Sequence, residues 1–175
     1  KYLIIIHECP CGAMVDAGGT HGLSCCRSSS RIIRHGLIND LFYRAFVRAG
    51  IPASKEPLGL NRVDGKRPDG STLIPWDGKC LTWDVTVSDT FAASHLPKTS
   101  QVAGGAAEEA NERKCQKYAN IMLTHGFCAI ACETMGPINE SGLSLLKELG
   151  RRITKVTGDT REHAFLLQRL SILIQ

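Results

Sequence analysis

Two aspartates carry the strongest chemical signal in this chain: Asp69 in Arg67-Pro68-Asp69-Gly70, then, after fourteen intervening residues, Asp84 in Leu81-Thr82-Trp83-Asp84-Val85-Thr86-Val87. A carboxylate at a turn-rich strand end and a second within the next β-branched strand can share a divalent cation, because neighbouring strands lie only ~5 Å apart. Oxygen ligands of this kind hold Mg²⁺ against a phosphate. Asp69 by itself also fits a plain turn, since Asp in Pro-Asp-Gly hydrogen-bonds its own backbone and Gly supplies a positive φ. Asp84 is harder to dismiss. It interrupts Leu81, Trp83, Val85 and Val87, a run expected of a strand buried on both faces, where an unpaired carboxylate is costly. A buried Asp in that setting wants a cation, and a functional site is the expectation.

A second constellation lies near the start. Cys9-Pro10-Cys11-Gly12, His21 and Cys25 supply three sulfurs and one imidazole within seventeen residues. This is the Cys₃His ligand set of structural zinc. Glycines 12, 18, 19 and 22 let the backbone wrap closely around an ion. So short a segment has almost no core of its own, and metal binding would supply its folding free energy. Cys26 competes with Cys25 for the fourth position. The remaining cysteines, Cys80, Cys115, Cys128 and Cys132, are scattered through apolar segments and read as buried free thiols rather than as half of a disulfide framework.

The totals bound what these groups can serve. A chain of 175 residues holds one well-packed domain plus a small appendage. Lys and Arg number 21 against 17 Asp and Glu, for a formal charge of +4; this balance allows a nucleic-acid partner without demanding one. The longest near-apolar run, Tyr2 to Ile6, is too short to span a bilayer, and nothing resembles a signal peptide. The expectation is a soluble, intracellular protein with no membrane partner. Its first residue is Lys1 rather than Met, as expected of a segment of a longer polypeptide.

The elements that must position the two sites follow from periodicity. Residues 1 to 28 form the zinc module, and Arg27-Ser28-Ser29-Ser30 is a polar link carrying a Ser helix cap. From Arg31 to Ala49, apolar Ile33, Leu37, Leu41, Ala45 and Ala49 recur every four residues with Ile38, Phe42 and Phe46 alongside, which predicts an amphipathic helix. Its other face carries Arg31, Arg34, Arg44 and Arg48, readable as a solvated surface or as a phosphate-contacting one. Pro and Gly punctuation from Ile51 to Gly78 permits only short strands, one near Ala53 to Leu58 and one ending at Asp69. The strand Cys80 to Val87 follows, and then a loop from Asp89 to Ser100.

A second long helix is predicted from about Gln101 to Thr124, with Ala103, Ala110 and Ile121 on one stripe and Lys114 and Lys117 in that same stripe. The two lysines either snorkel to solvent or face the carboxylates. A strand from Phe127 to Cys132 and two helices, Ser144 to Val156 and about Arg161 to Ile174, complete the chain. The order is helix, three strands, helix, strand, and two accessory helices.

That order, with acids on the second and third strands, is similar to the PD-(D/E)xK restriction-endonuclease fold, although the lysine usual two residues after the second acid is replaced by Thr86. The combination of Cys9-x-Cys11, His21-Gly22-Leu23-Ser24-Cys25, Arg34-His35, Glu56-Pro57, Arg67-Pro68-Asp69, Asp84 and Lys114-x-x-Lys117-Tyr118 resembles, over nearly the whole chain, the C-terminal zinc knuckle and restriction-like endonuclease of site-specific non-LTR retrotransposons and related reverse-transcriptase polyproteins. In that family the lysine has moved from the third strand to the following helix. The Cys-x-Cys opening is tighter than the knuckle spacing common in its best-known members.

The resemblance implies an α/β endonuclease domain over residues 31 to 175 and a zinc knuckle over residues 1 to 28. It implies a Mg²⁺- or Mn²⁺-dependent enzyme that nicks target DNA and exposes a 3′-OH to prime reverse transcription by an upstream polymerase. Asp69 and Asp84 would be the metal ligands, Lys114 or Lys117 would orient or deprotonate the attacking water, and Glu56 would be a third acid or a solvated edge carboxylate. Arg31, Arg34, Arg44, Arg67 and Tyr118 would be nucleic-acid contacts, with a core position the alternative for Tyr118. Target DNA, element RNA and other domains of the parent polyprotein are the implied partners, and the nucleus the implied location. The rival reading is a nucleic-acid-binding remnant that no longer cleaves.

Overall fold

A computed structural model describes residues 5–25, 27–60 and 65–175. Among them are two sheets and seven helices in a mixed α/β arrangement. A two-stranded antiparallel ribbon, β1 (His7–Glu8) and β2 (Met14–Val15), is followed by the short helix α1 (His21–Ser24). The long helix α2 (Ser30–Arg48) leads into β3 (Ala53–Lys55), β4 (Gly70–Pro75) and β5 (Cys80–Ser88). Then come α3 (Leu96–Thr99), α4 (Gly105–Lys117), α5 (Ala119–Met122), β6 (Gly126–Glu133), α6 (Glu140–Thr157) and α7 (Glu162–Ile174). No helix among the described residues is long and apolar enough to cross a membrane.

The main sheet runs β3-β4-β5-β6. β3, β4 and β5 are joined antiparallel, whereas β5 and β6 pair in parallel from Leu81 opposite Gly126 to Ser88 opposite Glu133. A parallel pair needs a long crossover, and α3, α4 and α5 supply it. β5 is therefore the strand on which both halves of the sheet meet.

Alternation along β5 decides where its side chains go. Leu81, Trp83 and Val85 join Cys128, Ile130 and Cys132 of β6 in a core completed by Ile38, Phe42 and Phe46 of α2 and by apolar residues of α6 and α7. Trp83 stacks on Phe46 at 4.7 Å between ring centroids. The opposite face is lined sparsely. There Ala131 of β6 meets Ala107 and Ala110 of α4 in a small separate cluster, and residues of this size let the helix lie close to the sheet.

Several sequence expectations are corrected. The apolar stripe of α2 is rotated in its first turns: Ile33 and Leu37 are exposed while Arg34 is buried. Here the helix packs against the N-terminal segment through a polar contact, which periodicity does not register. The long helix expected from Gln101 to Thr124 is broken into α4 and α5 at Tyr118, and it begins only after Gly104, whose φ is +86°. The loop from Asp89 to Ser100 contains the one-turn helix α3. The second strand does not end at Asp69; Asp69 directly precedes it.

Gly70 is also not the positive-φ turn residue that Pro-Asp-Gly suggests. It sits opposite Trp83 in the ladder, and a Cβ built on it would come within 2.0 Å of the indole ring. The glycine is required by close packing. Gly70→Ala should therefore displace Trp83 and lower stability by roughly 1–3 kcal/mol, read by denaturant unfolding. A variant as stable as the parent would contradict this account of the strand.

Candidate active site and metal centre

Asp69 and Asp84 are brought to one cleft. The β4–β5 ladder pairs Gly70 with Trp83; one step further the chains bring Asp69 opposite Asp84. The ladder stops there, and the Asp69 side chain takes over: its Oδ2 accepts the Val85 backbone N–H at 2.6 Å. The same oxygen accepts Nε2–H of His35 at 3.0 Å. The Asp69 backbone is also tied, its carbonyl accepting from Glu56 N–H at 2.9 Å and from the Asn39 amide at 3.4 Å. Asn39, buried in α2, reaches the other way to accept Trp83 Nε1–H at 2.9 Å.

Asp84 is 3% exposed. Its Oδ1 accepts the Tyr118 hydroxyl at 2.7 Å, and its Oδ2 is paired with the Lys114 ammonium. A buried carboxylate needs such partners, since removing one member of a buried pair leaves an uncompensated charge. Lys114 arrives because α4 is fixed at both ends. At its start the buried Glu133 of β6 accepts the Ala106 and Ala107 N–H groups at 2.9 and 3.2 Å, where a helix N-terminus favours negative charge. At its other end Lys114 and Tyr118 hold Asp84.

The cleft has a volume of about 530 Å³, and the two aspartates, Lys114, Lys117, Arg67 and Glu56 all line it. Lys117 Nζ lies 2.9 Å from the Tyr118 hydroxyl. Arg67 and Glu56 form an ion pair at the mouth, with Glu56 exposed at a φ of 47°. The cleft thus gathers every residue that the sequence singles out for catalysis.

The proposed nucleic-acid contacts are dispersed. Arg67 is at the cleft, Arg31 is exposed at the start of α2, and Arg44 is exposed and paired with Asp40. Arg34 is not a surface group: at 6% exposure it donates to the Leu23 carbonyl and to Ser30 Oγ, tying α1 to α2. Tyr118 is 1% exposed, so its ring is in the core and its hydroxyl serves Asp84.

His35 and Asn39 are the site residues to which sequence reasoning assigned no role. Both precede Asp69 by thirty residues or more, and neither breaks a recognisable pattern. The Asp69 carboxylate, by accepting the Nε2–H, raises the His35 pKa above its ordinary value of 6.5 against the opposing effect of burial. A raised pKa means that the contact stabilises the fold fully below about pH 6.5 and less as pH climbs through the folded-state value.

The second centre is formed by Cys9, Cys11, His21 and Cys25, whose ligand atoms all lie within 4.8 Å of one another. A reverse turn closed by Gly12 N–H on the Cys9 carbonyl, 2.7 Å, presents the first two sulfurs. The short helix α1 presents His21, and Cys25 follows it. Cys9 and Cys25 sulfurs are 3.7 Å apart, and Cys11 Sγ is 3.2 Å from His21 Nε2. Ligands ~2.3 Å from a tetrahedral ion stand about 3.8 Å from each other, so the donor set and its spacing fit Zn²⁺. Cys26, the rival ligand, lies outside the described residues. The buried thiols of Cys128 and Cys132 are pushed up to about 12 by burial, as inert core cysteines should be.

Neither a scan against protein-family models nor a search of curated proteins returns a match.

Two measurements check this geometry. In protein without added Mg²⁺, the His35 ring should titrate above 6.5 by NMR, and Asp69→Asn should bring it down; an unchanged midpoint would remove the contact. Zinc chelation should make residues 1 to 28 protease-sensitive while the circular dichroism of the remaining helices persists. Unaltered protease resistance would count against the cluster as a metal site.

Proposed function

We propose that this chain is a metal-dependent DNA endonuclease with a PD-(D/E)xK core and a structural zinc knuckle. The observation that carries the reading is the convergence of Asp69, Asp84 and Lys114 on one cleft, with Lys114 coming from α4 rather than from β5. The lysine expected two residues after Asp84 is Thr86, and Lys114 occupies the equivalent chemical place from a different element.

The donor set suits Mg²⁺ or Mn²⁺, which prefer carboxylate oxygens. Asp69 Oδ1 has no protein partner among the described residues, and would offer that oxygen beside Asp84, with the Val85 backbone carbonyl a further candidate. When bound, the ion activates water and neutralises charge on the phosphoryl group. His35 and the Val85 N–H hold the Asp69 carboxylate in one orientation. Tyr118 does the same for Asp84.

Lys114 or Lys117 orients or deprotonates the attacking water and offsets the negative charge that builds on the phosphate oxygens. Arg67, at the mouth of the cleft, is placed to meet a phosphate oxygen by exchanging its Glu56 partner. Water adds to phosphorus as the 3′ oxygen departs, leaving a 3′-OH and a 5′-phosphate. Such an end would prime reverse transcription by an upstream polymerase of the same polyprotein, with target DNA as substrate and element RNA as a further partner. Thr86 also suits the opposing reading, a remnant that binds nucleic acid without cutting it.

A plasmid assay separates the two. With Mg²⁺ the parent should relax supercoiled DNA, and Asp69→Ala or Asp84→Ala should abolish nicking, as expected for loss of a metal ligand, with gel retardation retained. Undiminished nicking by either variant would remove the catalytic assignment, and retardation without any relaxation by the parent would identify a binder.

A further inference from the structure

The cleft does not end at Asp84. On β5, Asp84, Thr86 and Ser88 share the face opposite Trp83 and Val85. Asp84 opens into the cleft, whereas Thr86 and Ser88 line a second and larger cavity of about 710 Å³. His35 lines both, so the second cavity, a trough beside the strand, adjoins the cleft at that residue. Asp84 to Ser88 is four strand residues, roughly 13 Å, enough for about two further phosphates of an extended polynucleotide.

The trough's chemistry is one-sided. Arg31 at the start of α2 is exposed and has no ion pair among the described residues. Arg113 of α4 is 55% exposed and, among the described residues, is paired with Glu109 alone, one turn away on the same helix, an arrangement that binds little at the surface. Asp89, the one acid lining this second cavity among the described residues, already accepts from Phe91 N–H and Thr134 Oγ1. Thr86 and Ser88 add neutral hydroxyl donors. Among the described residues no Phe, Tyr or Trp lines the cavity, so they offer no platform there for stacking bases.

We propose that this trough binds the backbone phosphates flanking the scissile one, through Arg31 and Arg113, and reads no sequence. The inference rests on the phosphodiesterase reading for its placement, but it is tested by binding alone. Leu23 and Ser28, on either side of the Cys25 ligand in the chain, also line the trough. That segment therefore acts as a wall of the substrate track, held there by the buried Arg34.

The test is fluorescence anisotropy of the zinc-loaded chain, without Mg²⁺, on two labelled DNA oligonucleotides of unrelated sequence over a range of salt. Arg31→Gln and Arg113→Gln should each weaken binding roughly five-fold, equally on both sequences, and lower the salt slope by about one. Arg151→Gln, an exposed control on α6, should change binding less than about two-fold by the same reasoning. Groove variants that match this control, or a loss confined to one sequence, would overturn the proposal, as would a trough that instead holds an acidic protein segment and leaves DNA affinity at the parental value. Because cleavage is not measured, intact nicking in the aspartate variants would sink the hydrolase reading alone, and unaffected affinity in the arginine variants would sink the trough alone.

Discussion

A carboxylate buried in the middle of a sheet is the constraint around which this molecule is arranged. Asp84 is almost wholly removed from water, and in so poorly polarisable a setting an unpartnered charge would cost several kcal/mol. Its partners come from the crossover connection, not from the sheet. The Lys114 ammonium and the Tyr118 hydroxyl occupy its two oxygens, and both require α4 to end at the same place. Lys114 and Tyr118 are four residues apart, so the last turn of α4 presents both on one face.

Small residues make the reach possible. Ala107 and Ala110 rest on Ala131, so α4 approaches the sheet closely at its middle, while Glu133 fixes its first turn. Two acids on neighbouring parallel strands, Asp84 on β5 and Glu133 on β6, thus hold the two ends of one helix. The arrangement gives Lys114 few alternatives to its place in the cleft, which is the preorganisation that charge stabilisation needs.

α2 joins the two centres. Its buried Arg34 binds the Leu23 carbonyl beside the Cys/His cluster, and the next residue, His35, holds Asp69. Four residues on, Asn39 bridges the Asp69 backbone and Trp83. One helix face therefore links the metal-ligating segment, the first aspartate and the core tryptophan. The N-terminal segment is coupled to the cleft by packing and hydrogen bonding.

The sequence by itself marked the long helices and the strands of the main sheet, the two aspartates, the lysine pair and the Cys/His ligand set, because each is written in short-range order; the short elements β1, β2, α1 and α3 were not legible in it. Apolar periodicity marks α2, β5, α6 and α7 within a few residues of their observed bounds; ligand spacing marks the metal cluster. The tertiary structure decided which groups meet. His35 and Asn39 reach Asp69 across thirty or more residues, and Arg34 turns inward because a carbonyl from another element waits for it. Asp69 stands just before its strand instead of at its end, and Gly70, the first strand residue, packs closely on Trp83 opposite it. Periodicity carries the direction of a side chain relative to its own helix or strand, but the partner that satisfies a buried polar atom is fixed only when distant elements pack.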